Sequence, residues 1–216
     1  FPTRRSSDLV QFTPSYFSKR SGFVINQLSG GGCEHMGNFP TFPVKGKLKM
    51  SPDNILNYRI NISEEKGHAG YYEAMVQEDI KAKLTVTERT GMASYEYPAD
   101  QQYGTIIIGG GISATPIEQA AIVITAPNKC EGYAEGGNFC GLRTPYKVYF
   151  VAEFDTDALE TGTWKREELM PNTTFAEGEY SGVYFTFDVN KKKNIQYKIG
   201  VSYVSVENAR ENLDRK

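Results

Sequence analysis

Apolar and polar side chains alternate with a period of two in four stretches of the chain. Ile80, Ala82, Leu84 and Val86 share one face, and Lys81, Lys83 and Thr85 share the other. Tyr146, Val148, Phe150, Ala152 and Phe154 align against Lys147, Tyr149 and Glu153. Val183, Phe185, Phe187 and Val189 repeat the pattern, as do Tyr197, Ile199, Val201 and Tyr203. Successive side chains of a strand point to opposite faces, so each set predicts a half-buried antiparallel strand. Weaker signals fall at residues 23–28, 42–48, 71–76, 92–97, 103–108 and 121–125. The total is about ten strands, more than one open sheet usually carries, which predicts two packed sheets. Residues 156–178 break the alternation with Asp157, Glu160, Glu167, Glu168, Pro171 and the lone Trp164, and predict a long surface excursion. At Ser205 the pattern becomes helical. Ser205 is placed to cap, Glu207 falls in the first turn where the dipole favours it, and helix formers follow. About three turns fit before Lys216. A helix that short is marginal alone, and the reading is that its packing partner lies in further chain, so that this is a piece of a larger protein.

Composition supports the sheet reading. Among 216 residues there are 14 Tyr, 12 Phe and 21 Gly, suited to pleated, half-buried surfaces joined by many turns. With 39% hydrophobic and 23% charged residues the chain is globular. The formal net charge of −2 and the lack of a basic stripe argue against nucleic acid as a partner. Lys191, Lys192 and Lys193, flanked by Asn190 and Asn194, read as a solvated hairpin tip. No apolar run approaches the roughly 20 residues needed to span a bilayer. Residues 1–9 do not join the pattern and resemble a translated cloning adapter. The domain reading is therefore 10–204 for an all-β two-layer sandwich and 205–216 for the start of a linker helix.

Two glycine-rich stretches stand out. Ser29, Gly30, Gly31, Gly32 and Cys33 follow a strand signal, and three glycines allow a backbone to approach a ligand or another domain closely. The second runs from Cys130 to Gly141 and reads as a hairpin with a bulged tip containing Gly136, Gly137 and Cys140. For each, a loop without a ligand is the plainer alternative. The run Ile106–Thr115 lacks the third glycine and the Lys-Ser/Thr of phosphate loops, and reads as a strand ending in a turn. Cys33, Cys130 and Cys140 include no CxxC pair, and His35 and His68 are isolated, so a zinc site is poorly supported. A Cys130–Cys140 disulfide and free thiols both stay open. Glu88, Glu153 and Asp155 qualify as catalytic carboxylates by residue type only. Asn61 and Asn172 match the glycosylation acceptor pattern, which matters only in a eukaryotic secretory context.

Four stretches in order resemble the N-terminal domain of glycoside hydrolase family 92, the calcium-dependent exo-α-mannosidases. They are residues 22–33, residues 80–91 ending in Thr-Glu-Arg-Thr-Gly, residues 136–141 with 148–154, and residues 200–210. The chain departs from the family pattern at Gln27, where a His is usual, and at Asn138, an insertion. The resemblance implies a β-sandwich, linker helices and an (α/α)₆ barrel, with the active site between sandwich and barrel. It implies an inverting mechanism in which one carboxylic acid protonates the leaving oxygen and a carboxylate activates water. The catalytic acids and the calcium ligands belong to the barrel in that family, so no catalytic residue and no metal ligand is expected on this chain. The expected role is to remove terminal mannose, of α-1,2 type, from glycans, with the fragment itself non-catalytic. Ser29 to Cys33 and Gly136, Gly137 and Cys140 are expected to wall the pocket at the domain interface. The resemblance also implies a secreted, periplasmic or cell-surface bacterial protein. Two other readings stand beside it: an independent sugar-binding sandwich using Trp164 and Tyr180 as aromatic platforms, and a structural cell-surface β domain.

Overall fold

A computed structural model describes residues 22–26, 36–55, 62–113, 115–137 and 141–215. It is a two-layer antiparallel sandwich, as the alternation predicts. The smaller sheet has the order β1 (Thr41–Lys45), β6 (Tyr103–Gly109), β13 (Ser181–Asp188), β10 (Glu160–Lys165) and β11 (Glu168–Pro171). The larger has nine strands: β12 (Phe175–Glu177), β7 (Ile117–Ala126), β8 (Lys129–Gly136), β9 (Tyr146–Phe154), β14 (Asn194–Ser202), β5 (Thr90–Glu96), β4 (Ile80–Val86), β3 (Tyr71–Val76) and β2 (Ile62–His68). Two helices, α1 (Pro52–Ile55) and α2 (Val206–Asp214), complete the described chain.

The core lies between the sheets and is built by the predicted alternating faces. Val148, Phe150, Ala152 and Phe154 of β9 and Val183, Phe185 and Phe187 of β13 are all buried. The Phe154 ring lies 4.7 Å from Phe185, 5.2 Å from Phe187 and 5.6 Å from Tyr197 between centroids, within the range of favourable tilted pairs. Cys130 of β8 is a free, fully buried thiol in this core, and burial pushes its pKa up, so it is an inert packing residue. A bond from Cys130 to Cys140 is thereby set aside; Cys140 lies outside the described residues.

Residues 156–178 are not a surface excursion. They form β10, β11 and β12, and Trp164 is fully buried. The signal was hidden because β10 is buried on both faces. Trp164 lies opposite Gly182, where a Cβ would sit 2.3 Å from the indole, and Tyr184 lies opposite Gly162, where a Cβ would meet its hydroxyl at 2.5 Å. Glycine here is empty space for an aromatic ring, which period-two reading scores as a turn. Trp164, Tyr184, Ile107 and Ile112 form a second apolar cluster on the outer face of the smaller sheet, with Leu48 and Leu169 against it. Trp164 is therefore no sugar platform. Tyr180 is half-buried, with the Arg166 guanidinium 5.0 Å over its ring.

The stretch from Cys130 to Gly136 is likewise a full strand, β8, and only residues 137–145 connect it to β9. The edge strand β2 carried no apolar signal. Its residues are nearly all exposed, and it ends the larger sheet with charged side chains and a register shift between Ser63 and Lys66. Charge and a bulge at a sheet edge discourage pairing with another chain.

Helix α2 also corrects an expectation. It has its packing partner within this chain. Ala209 and Leu213 bury against Val151 of β9, with Tyr149 and Val206 beside them. Gly200 of β14 makes the approach possible: a Cβ there would lie 2.5 Å from the Ala209 carbonyl oxygen and 3.0 Å from the Leu213 nitrogen. The N-terminus is as read, with the Ser205 side chain accepting from the Asn208 N–H at 3.2 Å.

Candidate functional site

Four connections gather at one end of the sandwich. They are the chain flanking residues 27–35, the β6–β7 connection, the β8–β9 connection, and the passage from β14 into α2. The described flanks of both glycine-rich stretches lie at this end. Ser29, Gly30, Gly31, Gly32, Cys33 and Cys140 lie outside the described residues, but the chain on either side of them is described.

Gly136 closes β8 opposite Ile117 of β7 and Tyr146 of β9. A Cβ at Gly136 would lie 2.5 Å from the Pro116 carbonyl oxygen. Gly137 has φ +134, and a Cβ there would lie 2.1 Å from the Thr144 carbonyl oxygen. Backbone occupies the space of the missing side chain at both positions, so both glycines are required by close chain approach. Beyond them Gly141, Leu142, Arg143, Thr144 and Pro145 are exposed, with Arg143 paired to Glu118 of β7 at 3.0 Å.

The other glycine-rich stretch is rooted beside this one. The Gly37 N–H donates to the Asn26 carbonyl at 2.7 Å, closing residues 27–35 at their base. Asn26 and Asn38 pair side by side, and the Tyr146 hydroxyl donates to Asn38 Oδ1 at 2.9 Å. Burial pushes the Tyr146 hydroxyl pKa up, and its hydrogen bond to Asn38 pulls it part of the way back, so it stays a neutral donor at physiological pH. The Phe39 ring lies tilted against Phe150 of β9, 4.2 Å between centroids. Tyr203, after β14, donates to Met36 Sδ at 3.4 Å. The structure thus brings the roots of both predicted loops together, which no local pattern signalled; the only sequence hint is an Asn on either side of the first loop.

Leu142, Tyr203 and Val204 are exposed by 68%, 51% and 73% at this end. Among the described residues no group of three or more His, Cys, Asp or Glu is placed to hold a metal ion. Glu88, Glu153 and Asp155 do not converge: Glu88 is in the β4–β5 turn, Glu153 pairs with Lys129, and Asp155 pairs with Lys192. The described groups at this end are backbone amides and carbonyls, the Tyr146 and Tyr203 hydroxyls, the Asn26 and Asn38 amides and the Arg143–Glu118 pair.

The remaining family-like motifs are structural. The Arg89 carbonyl accepts from the Val201 N–H at 3.0 Å, Thr90 Oγ1 donates to the Asn212 carbonyl at 2.8 Å, and Asn212 Nδ2 donates to the Val201 carbonyl at 2.8 Å. The Glu88–Gly91 turn, the end of β14 at Val201 and helix α2 at Asn212 therefore form one sheet–helix junction.

Among solved structures, the chain is similar to the family GH92 α-mannosidase BT3965 from Bacteroides thetaiotaomicron, with 22% identity and a TM-score of 0.78 over 98% of this chain and 31% of that one. It is similar to the GH92 glycosyl hydrolase ccman5, with 20% identity and a TM-score of 0.75 over 88% of this chain and 27% of that one. The family GH92 inverting mannosidase BT2199 from Bacteroides thetaiotaomicron VPI-5482 gives 22% identity and a TM-score of 0.68 over 82% of this chain and 23% of that one. At these identities the likeness is one of fold, and the chain spans only about a quarter to a third of these relatives. No curated protein matches the chain. Residues 8–202 match the profile of the glycosyl hydrolase family 92 N-terminal domain, and the chain belongs to that family.

Proposed function

We propose that this chain is the sandwich portion of an exo-α-mannosidase that removes terminal mannose from glycans. The observation that carries the reading is the convergence of both glycine-rich roots at one end of a family 92 sandwich, beside exposed Leu142, Tyr203 and Val204. In this reading that end walls the sugar pocket, and a C-terminal (α/α)₆ barrel supplies the proton donor, the base that activates water, and the calcium site. Inversion requires two carboxyl groups separated widely enough to admit a water molecule. In this reading both carboxyl groups belong to the barrel, and the sandwich alone is non-catalytic. The similarity to an inverting mannosidase supports the stereochemical outcome. The α-1,2 preference, calcium dependence and a secreted, periplasmic or cell-surface location are part of the same proposal.

The purified 216-residue chain is expected to leave α-1,2-mannobiose unhydrolysed, and turnover would overturn the division of labour. Reading the gene past the codon for Lys216 tests the rest. Several hundred further residues with helical periodicity and paired acids are expected, and a stop codon there would sink the proposal.

A further inference from the structure

Asn26 and Asn38 flank residues 27–35 and are 8% and 0% exposed. The directions of their hydrogen bonds are fixed by a backbone group. The Asn38 N–H donates to Asn26 Oδ1 at 2.9 Å, so Asn26 presents Nδ2 as the donor to Asn38 at 3.0 Å. The atom that receives it must then be Asn38 Oδ1. Tyr146, 108 positions away, donates to that same oxygen at 2.9 Å. Asn38 therefore accepts twice through its side chain, while its buried Nδ2 has no partner among the described residues. The backbone here is also held in an unfavourable region, with φ of 60° at Met36 and 56° at Phe39. Non-glycine residues stay there only when surrounding contacts impose it, and such strain clusters at functional sites.

We propose that Asn38 is a positioning residue whose side-chain oxygen locks the chain at Asn26 and Asn38 to the start of β9, and so fixes the described roots of the end assigned above to the pocket. Its functional meaning rests on the mannosidase reading above; its mechanism rests on hydrogen-bond direction alone. Position 38 must be a double acceptor, and position 26 must be a donor toward it. The idle Nδ2 makes aspartate the better-matched replacement at 38: a carboxylate accepts both bonds, each then charge-assisted, and leaves no orphaned donor, whereas at 26 the same buried charge gains no such match. The same change at 26 turns a donor into an acceptor facing Asn38 Oδ1.

Asn38→Asp and Asn26→Asp are both isosteric and both bury a carboxyl group, so a space-filling role would treat them alike. The test is amide hydrogen exchange of the 216-residue chain at neutral pH without sugar. Peptides covering residues 22–26, 36–41 and 144–150 report the two roots, and peptides from β6 and β13 serve as controls. Asn26→Asp and Tyr146→Phe are expected to speed exchange roughly 10-fold at both roots and leave the controls within about 2-fold. Asn38→Asp is expected to stay within about 3-fold of the parent, whereas Asn38→Leu behaves like Asn26→Asp. The proposal is overturned if Asn26→Asp and Asn38→Asp behave alike, if the Tyr146→Phe effect is confined to residues 144–150, or if the controls accelerate with the roots. Because no sugar enters, failure here is distinct from failure of the mannosidase reading, which has its own assay.

Discussion

Tyr95, Tyr97 and Tyr197 are sealed in the core, and burial pushes each hydroxyl pKa up, that of Tyr197 to about 12. An unfolded tyrosine ionises near 10. Between those values the unfolded chain holds fewer protons than the folded one, so stability falls as pH rises. The Tyr197 contribution is fully present below pH 10 and is lost by about pH 12. For Tyr197 the two units amount to about 3 kcal/mol. Urea midpoints measured from pH 9 to 12 are expected to drop steeply above pH 10, and Tyr197→Phe to make that slope shallower; a flat profile would contradict the burial. Trp164 offers a second residue-scale test. As the sole tryptophan, and fully buried, it should emit in the blue, resist iodide and ignore added mannose. Trp164→Ala is expected to cost about 3–5 kcal/mol by urea titration. Core residues of β4, β9 and β14 were legible because one face is more buried than the other and leaves a period of two, and those of β13 because Gly182 and Thr186 interrupt its second face, which is buried as well. Ile106, Ile107 and Ile108 were harder to read because β6 is apolar on both faces, Ile106 and Ile108 toward the main core and Ile107 toward Trp164.

At the scale of elements, what could be read depended on whether a signal was local. The start of α2 was legible from Ser205 and Glu207, whose chemistry acts within one turn. Its partner was not, because Val151 and Gly200 look like ordinary strand positions until β9 and β14 are side by side. The docking makes a sharp prediction. Leu213→Ala should cost about 2–4 kcal/mol of stability. Gly200→Val should release the helix, since the new side chain would strike helix backbone. Circular dichroism and exchange in residues 205–215 would register both, with Gly200→Val raising exchange there before it affects β13. Unchanged exchange in α2 would mean that the helix is held by its own propensity, which nine residues rarely supply. The two glycine-rich stretches illustrate the same limit at the site. Gly136 and Gly137 read only as part of a bulged hairpin tip, and the structure shows the Pro116 and Thr144 carbonyls packed where their side chains would be. The Asn38–Tyr146 bond joins positions too far apart in sequence for any window to pair.

For the whole molecule, two kinds of surface residue separate by what they would lose. Leu142 and Val204 are so exposed that each contributes little to the fold of this chain, yet both sit at the end where the strand roots converge. Burying such side chains against another body would return roughly 1.5–3 kcal/mol each. Leu142→Asp and Val204→Asp should therefore leave the melting temperature of the 216-residue chain within about 2 °C of the parent. In the longer enzyme proposed above, the same substitutions place a charge in an apolar contact and should lower turnover of mannosides at least 10-fold, with Asn190→Asp on the remote hairpin as a neutral control. The pair of measurements divides the outcomes cleanly. Loss of stability in the short chain would make these residues part of the fold. Unchanged turnover in the long one would mean that this end faces solvent, and the glycine-rich wall would have no pocket to close.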